Sequence, residues 1–159
     1  MKNSFKYFLI FLLLACNKPI NVPNTFNSKV VGIKDGDTIE VLYEGKSETI
    51  RLLDIDCPEK KQAYGKTAKL FTSDFCYNKQ VKVVSKGKRD RYKRILATIF
   101  IAGINLNEEL VKAGLAWHYK KYSNSQIYSE LELLARANKI GLWVEPSPTP
   151  PWDFRSKRK

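Results

Sequence analysis

One stretch, Asp35 to Glu59 (DGDTIEVLYEGKSETIRLLDIDCPE), places three carboxylates, Asp37, Asp56 and Glu59, around a single arginine, Arg51. Carboxylate oxygens are hard donors that suit a divalent cation, and a carboxylate can also take a proton from water. A guanidinium is planar, permanently charged and able to hold two phosphate oxygens at once. Together these groups outline a site for an oxyanion such as a phosphodiester, whose own charge must be neutralised before water can attack it. Asp35 and Asp54 carry no such assignment and read as supporting residues.

The residues in between must bring these groups together. Ile39, Val41 and Tyr43 alternate with Thr38, Glu40 and Leu42, the two-residue period of a half-buried strand, and Glu44-Gly45 signals a turn. Ile50 to Ile55 is nearly continuous apolar, broken by Arg51 and Asp54, as in a strand buried on both faces. If the two strands pair around the turn, Asp37 at the start of one lies near Asp56 at the end of the other. Arg51 and Asp56 have opposite parity, so a regular strand points them to opposite faces. Both serve one site only if a bulge or the strand's end re-aims one of them.

Lys29 to Lys34 reads as a first strand, and Val81 to Ser85 and Ile95 to Ile101 as the fourth and fifth. Lys60 to Tyr77 has helical spacing, with Tyr64, Ala68, Phe71 and Phe75 on one stripe. Glu108 and Glu109 open a short helix ending before Gly114, and a last helix, about Gln126 to Lys139, presents Ile127, Leu131 and Leu134 on one face. Periodicity alone gives an α+β fold with an antiparallel sheet. Five short strands with one helix after the third and others after the fifth fit a five-stranded OB-type β-barrel with about three helices, spanning residues 28–144. Four prolines, Pro146, Pro148, Pro150 and Pro151, are expected to exclude helix from residues 145–159. That Pro-rich basic tail should lie extended along the body, with Trp152 packed and Arg155 to Lys159 exposed.

At the other end, Lys2 and Lys6 precede an apolar run, Phe8 to Ala15, too short to span a bilayer comfortably but right for a secretory signal. Leu13-Leu14-Ala15-Cys16 resembles the lipobox of bacterial lipoproteins, whose cysteine is acylated and becomes the mature N-terminus. The expectation is a signal peptide over residues 1–15 and a flexible tether over residues 16–27 that begins at a lipidated Cys16. Such a protein crosses the inner membrane and is anchored to a membrane of the cell envelope.

Lys and Arg number 28 against 16 Asp and Glu, a net charge of +12 of which only Lys2 and Lys6 fall in the first fifteen residues. The excess favours a polyanionic partner, nucleic acid or anionic lipid, without choosing between them. It is dense from Lys79 to Arg94, where Asp90 is the one acid. The single histidine, His118, leaves no His-based nucleophilic or zinc site and reads as a surface or core-edge residue. Cys57 and Cys76 flank the predicted helix, on the order of 20 Å of rise apart, and are expected to be free thiols.

Three segments in order, Asp35-Gly36-Asp37-Thr38, Arg51 to Glu59 (RLLDIDCPE) and Asp90-Arg91-Tyr92-Lys93-Arg94, resemble the signature segments of the staphylococcal nuclease (thermonuclease) family. The likeness runs from about Ser28 to Trp143 and extends to the C-terminal Pro-Pro-Trp-Asp-Phe-Arg, residues 150–155. It implies the OB-type barrel and a Ca²⁺-dependent hydrolysis of phosphodiester bonds in DNA and RNA, endo- and exonucleolytic, leaving 3′-phosphates. By the same resemblance Asp37, Asp56 and the backbone oxygen of Cys57 hold Ca²⁺. Glu59 acts as general base on water, Arg51 and Arg94 neutralise the transition state, and Tyr92 and Tyr119 contact substrate.

Each residue also has a plainer reading. Asp37 can cap its turn, Glu59 can favour a helix start, Arg94 can be one charge of a basic loop, and Trp117 and Tyr119 can close the barrel. Cys57 stands where the family has threonine, Lys93 where it commonly has glycine, and the loop after Glu59 is shorter. The leading expectation is a monomeric, lipid-anchored nuclease. Its rivals are a non-catalytic OB module that only binds nucleic acid and a surface adhesin or lipid-binding protein using charge alone.

Overall fold

The structure, a computed structural model, describes residues 22–157. The predicted signal peptide and the lipidation site Cys16 lie outside the described residues. β1 (Thr25–Asp35), β2 (Thr38–Tyr43) and β3 (Lys46–Leu52) form an antiparallel meander, followed by a two-residue β4 (Ile55–Asp56) and helix α1 (Gly65–Cys76). β5 (Gln80–Arg89) then pairs with the free edge of β1, and β6 (Ile95–Ile101) with β5. Alternation sends Val30, Ile39, Val41, Ile50, Val81, Val83, Ala97 and Ile99 into one shared interior, where each is buried.

The sheet closes because β6 returns to β3, Ile50 beside Ile95, Arg51 beside Leu96 and Leu52 beside Ala97. Closure leaves no open edge among the five long strands, which is the five-stranded OB-type barrel expected. The closing pair is parallel, so the sheet is mixed rather than wholly antiparallel. Residue periodicity is the same in both cases, and the return path of the chain decides between them.

β7 (Ile104–Asn105) leads into α2 (Leu106–Lys112), whose N-cap Asn105 accepts from the amides of Asn107 and Glu108. β8 (Trp117–His118) pairs antiparallel with β4, setting Trp117 opposite Asp56. α3 (Gln126–Ala137), capped by Ser125, and α4 (Pro151–Ser156) complete the chain. Among the described residues no helix is long and apolar enough to cross a membrane.

Several expectations need correction. β1 starts at Thr25, so Thr25 to Asn27 of the predicted tether pair with Val84, Val83 and Lys82 in the barrel. The first helix starts at Gly65 rather than Lys60, because residues 60–64 form turns in which the amide of Gln62 donates to Glu59 O at 2.8 Å. α3 buries Tyr128, Glu132 and Ala135, while Ile127 and Leu134 face solvent. The buried face was hidden in the sequence by Glu132, a charge tolerated there because Lys120 and Arg136 pair with it at 3.3 and 3.2 Å. The Pro-rich tail is not extended throughout. Pro151 occupies the first position of α4, where a helix leaves its amide unsatisfied in any case. His118 is buried, its Nδ1 3.1 Å from the Ser129 hydroxyl. Cys57 and Cys76, by contrast, are free thiols as expected, and both are buried.

Candidate active site

The first question is how Arg51 and Asp56 come to share a face. β3 ends at Leu52, and Asp54 adopts the left-handed conformation (φ 66°), so the chain turns out of the strand before β4 begins. That break reverses the parity a continuous strand would impose. Arg51 Nη2 then donates to Asp56 Oδ1 at 2.7 Å and lies 3.1 Å from Asp37 Oδ2, while Nη1 donates to Leu52 O at 2.8 Å. The expected convergence of Asp37, Arg51 and Asp56 is thus present.

Asp37 is placed by the turn between β1 and β2. Its Oδ2 accepts from the Cys57 amide at 2.6 Å and its Oδ1 from the Thr38 hydroxyl at 3.1 Å. The turn itself is seated against α1, with the Thr72 hydroxyl donating to Gly36 O at 2.6 Å. A Cβ at residue 36 would lie 2.7 Å from the Ala68 Cβ and 2.9 Å from the Cys57 Cβ, so glycine is required for this approach. Cys57 therefore acts on the cluster through its amide. Burial pushes its thiol well above the usual range, which makes it a poor nucleophile.

The cluster is dry. Side-chain exposure is 12 % for Arg51, 7 % for Asp37 and 1 % for Asp56. Burial raises the Asp56 carboxyl above the ordinary carboxylate range, although hydrogen bonds from Arg155 pull the other way. Burial, with repulsion from Asp37, pushes Asp35 up to about 7. Arg51 loses solvation too, but the charges of Asp37 and Asp56 more than offset that and hold it firmly protonated.

Glu59 follows Pro58 on the loop before α1 and is about one third exposed. Its amide donates to Gln62 Oε1 at 3.0 Å, and Gln62 Nε2 donates in turn to Thr149 O at 2.6 Å. The residue that joins Glu59 to the cluster is Arg155 of α4, exposed as expected. Its Nη1 donates to Glu59 Oε1 at 2.7 Å and to Asp56 Oδ1 at 3.3 Å, and its Nη2 to Asp56 Oδ2 at 2.7 Å. The signal that could have found it is the Trp152-to-Arg155 spacing, one helical turn, behind a proline suited to starting a helix.

The remaining predicted residues, Arg94, Tyr92 and Tyr119, have partners of their own. Arg94 stands just before β6, where its Nε and Nη2 bind Asp90 Oδ2 at 2.8 and 2.7 Å. The parallel pairing of β6 with β3 sets Leu96 beside Arg51, so Arg94 lies two residues away along the neighbouring strand. Lys93 keeps the left-handed conformation (φ 64°) that glycine would supply there, and the loop folds without it. Tyr92 is exposed on that loop, with Arg91 and Arg94 against its ring at 4.8 and 5.3 Å. Tyr119 sits closer to the cluster. Its ring stacks on Trp152 at 5.1 Å, and its hydroxyl feels both Asp56 and Arg155. Trp117 is core, packed on Trp143 and Trp152 at 4.4 and 5.6 Å.

Among the described residues no group of three or more His, Cys, Asp or Glu is gathered as a metal cage. Asp37 and Asp56 nevertheless fit a hard divalent cation. Their oxygens meet at one nitrogen of Arg51, and the donors are all carboxylate oxygen. Such a two-carboxylate shell leaves positions for water and substrate oxygen.

The profile of staphylococcal nuclease homologues matches residues 49–145. An uncharacterized endonuclease of Haemophilus influenzae is 44 % identical over 153 residues, covering 95 % of this chain and 83 % of that protein. An uncharacterized endonuclease of Escherichia coli is 41 % identical over 133 residues (83 % of this chain, 86 % of that protein). A micrococcal nuclease of Shigella flexneri is 37 % identical over 146 residues (84 % and 83 %). With the barrel, the ordered motifs and these relatives in agreement, the chain belongs to the staphylococcal nuclease family.

Proposed function

We propose that this chain, a nuclease by its family, is a Ca²⁺-dependent phosphodiesterase that cuts DNA and RNA at ends and internally, leaving 3′-phosphates. The observation that carries this reading is the meeting of Asp37 and Asp56 on one guanidinium nitrogen of Arg51, with Glu59 tied to the same cluster through Arg155. Asp37 and Asp56 would hold the ion, with the Cys57 carbonyl beside them. Bound there, Ca²⁺ supplies positive charge to a phosphate oxygen and eases the deprotonation of a neighbouring water.

The chain's own groups divide the rest of the work. Arg51, oriented by two carboxylates and a carbonyl, directs its remaining N–H groups at the phosphate, whose charge grows as water adds. Arg94, two residues from Leu96 along β6, approaches the same phosphate from the neighbouring strand once it exchanges Asp90 for substrate. Glu59 Oε1 is held by Arg155, which leaves Oε2 to take the water's proton. The basic run from Lys79 to Arg94 guides a polyanion to the cleft, and Tyr92 and Tyr119 offer faces or hydroxyls to the nucleotide. The resemblance of Leu13-Leu14-Ala15-Cys16 to a lipobox supports an enzyme anchored in the cell envelope, tested by acylation of wild type but not of Cys16→Ser, and the enzyme is proposed to act as a monomer.

The test is hydrolysis of labelled single- and double-stranded DNA and of RNA, in Ca²⁺ and in chelator. Glu59→Ala should lose roughly two to four orders of magnitude in rate while keeping nucleotide affinity. A variant with full rate removes Glu59 from the mechanism. Cleavage undiminished by chelator overturns the metal assignment.

A further inference from the structure

The C-terminal segment is joined to the Glu59 loop at separate points. Gln62 links the Glu59 amide to Thr149 O. Trp152 lies flat against Tyr119 with an interplanar angle of 1° and meets Trp117 edge-on at 5.6 Å. Pro150 and Pro151 stiffen the backbone where it turns into α4. These contacts hold α4 so that Arg155 reaches both Asp56 and Glu59. The result is an unbroken alternation of charge, Asp37, Arg51, Asp56, Arg155, Glu59, in which each neighbour is an ion pair. Arg155 lies beyond residue 145, where the match to the family profile ends.

Without Arg155, nothing in this chain of contacts would draw Glu59 towards Asp56. Two carboxylates repel, Glu59 stands on a loop, and its side chain has rotamers to choose among. The fork removes that freedom, because Nη1 is shared between Glu59 Oε1 and Asp56 Oδ1 while Nη2 grips Asp56 Oδ2. A lysine has the charge but presents a single nitrogen and cannot span the two in this geometry.

We propose that Arg155 is a positioning residue for hydrolysis: it fixes the Glu59 carboxylate against Asp56 so that the proton acceptor faces the phosphate, making α4 part of the active site. This rests on the nuclease reading above. A displacement of about 1 Å in a catalytic group can cost about a hundredfold in rate, which sets the scale of the effect.

The experiment measures kcat and KM of the full chain on a short fluorescent oligodeoxynucleotide at saturating Ca²⁺. Arg155→Ala should lower kcat by about 30- to 100-fold with KM changed less than about threefold, and Arg155→Lys should recover only part of that loss. Added guanidinium ion should raise the Arg155→Ala rate several-fold and leave wild type unaffected. Lys157→Ala, which removes a like charge from the end of α4, should leave kcat unchanged. Melting of Arg155→Ala, Glu59→Gln and the double variant reads the contact without reference to activity, and the two single shifts should not add. Wild-type kcat in Arg155→Ala overturns the proposal, as does a loss that guanidinium does not restore or melting shifts that add fully. If wild type itself cleaves nothing, the nuclease reading fails and Arg155's role in hydrolysis fails with it, while non-additive melting would still establish the contact with Glu59.

Discussion

Replacing Arg51 with methionine removes the cation between two buried carboxylates while keeping most of the side chain's length. Asp37 would keep the Cys57 amide, the Thr38 hydroxyl and the Asp35 carboxyl, and Asp56 would keep Arg155. With side-chain exposures of 7 % and 1 %, neither carboxylate recovers solvation by moving slightly. Breaking a buried pair on one side typically costs about 3–5 kcal/mol, and for a domain of this size that lowers the melting temperature by roughly 10 °C. The pH dependence has a definite sign. In the variant, burial and repulsion from Asp37 hold the folded Asp56 carboxyl above its unfolded value. The penalty is therefore larger at neutral pH and fades as pH falls towards the unfolded value near 4, below which both states are protonated. Thermal unfolding followed through the fluorescence of Trp117 and Trp143, in chelator, at pH 7.5 and 4.5, measures this directly. A variant melting within about 2 °C of wild type at pH 7.5, or a deficit that does not shrink at pH 4.5, would refute the account of the cluster.

Other outcomes follow from the same geometry. Asp35, pushed up to about 7 by burial and by Asp37, binds a proton in the folded state that the unfolded chain has released. Stability in chelator should fall by up to about 4 kcal/mol as pH rises from 4 to 7, and Asp35→Asn should flatten that slope in urea titrations. Lys93→Gly relieves a left-handed residue and should raise stability by about 0.5–1 kcal/mol, read as a higher urea midpoint with an unchanged slope. At Gly65 a new Cβ would overlap the Glu59 carbonyl. Gly65→Ala should therefore shift the loop that carries Glu59 and lower kcat by at least about tenfold, more than its effect on nucleotide affinity, which calorimetry would report.

Much of the barrel was legible because its strands obey a simple alternation: Val30, Ile39, Val41 and Ile50 declare their faces by sequence position alone. α3 was misread for the converse reason. Its buried face includes Glu132, whose charge is neutralised by Lys120 and Arg136, and a hydrophobicity pattern does not register such a pair. The tail was misread because proline was treated as a helix breaker throughout, although at the first position of α4 it suits the helix. Arg94, read as a transition-state cation by resemblance, lies in the basic loop before β6 with Asp90 as its partner, a pairing that residue spacing alone does not disclose.

By itself the sequence determined which residues could do the chemistry, since the types and order of Asp37, Arg51, Asp56, Glu59 and Arg94 are properties of the chain. It also determined the interior of the barrel, because a two-residue period leaves few ways to bury those side chains. Tertiary structure alone decided that the closing strands run parallel, that a left-handed Asp54 turns Asp56 onto the face of Arg51, and that Arg155 joins the carboxylates. Each of these depends on where the chain goes after leaving an element. Local pattern limits that path only weakly, whereas packing between distant segments settles it.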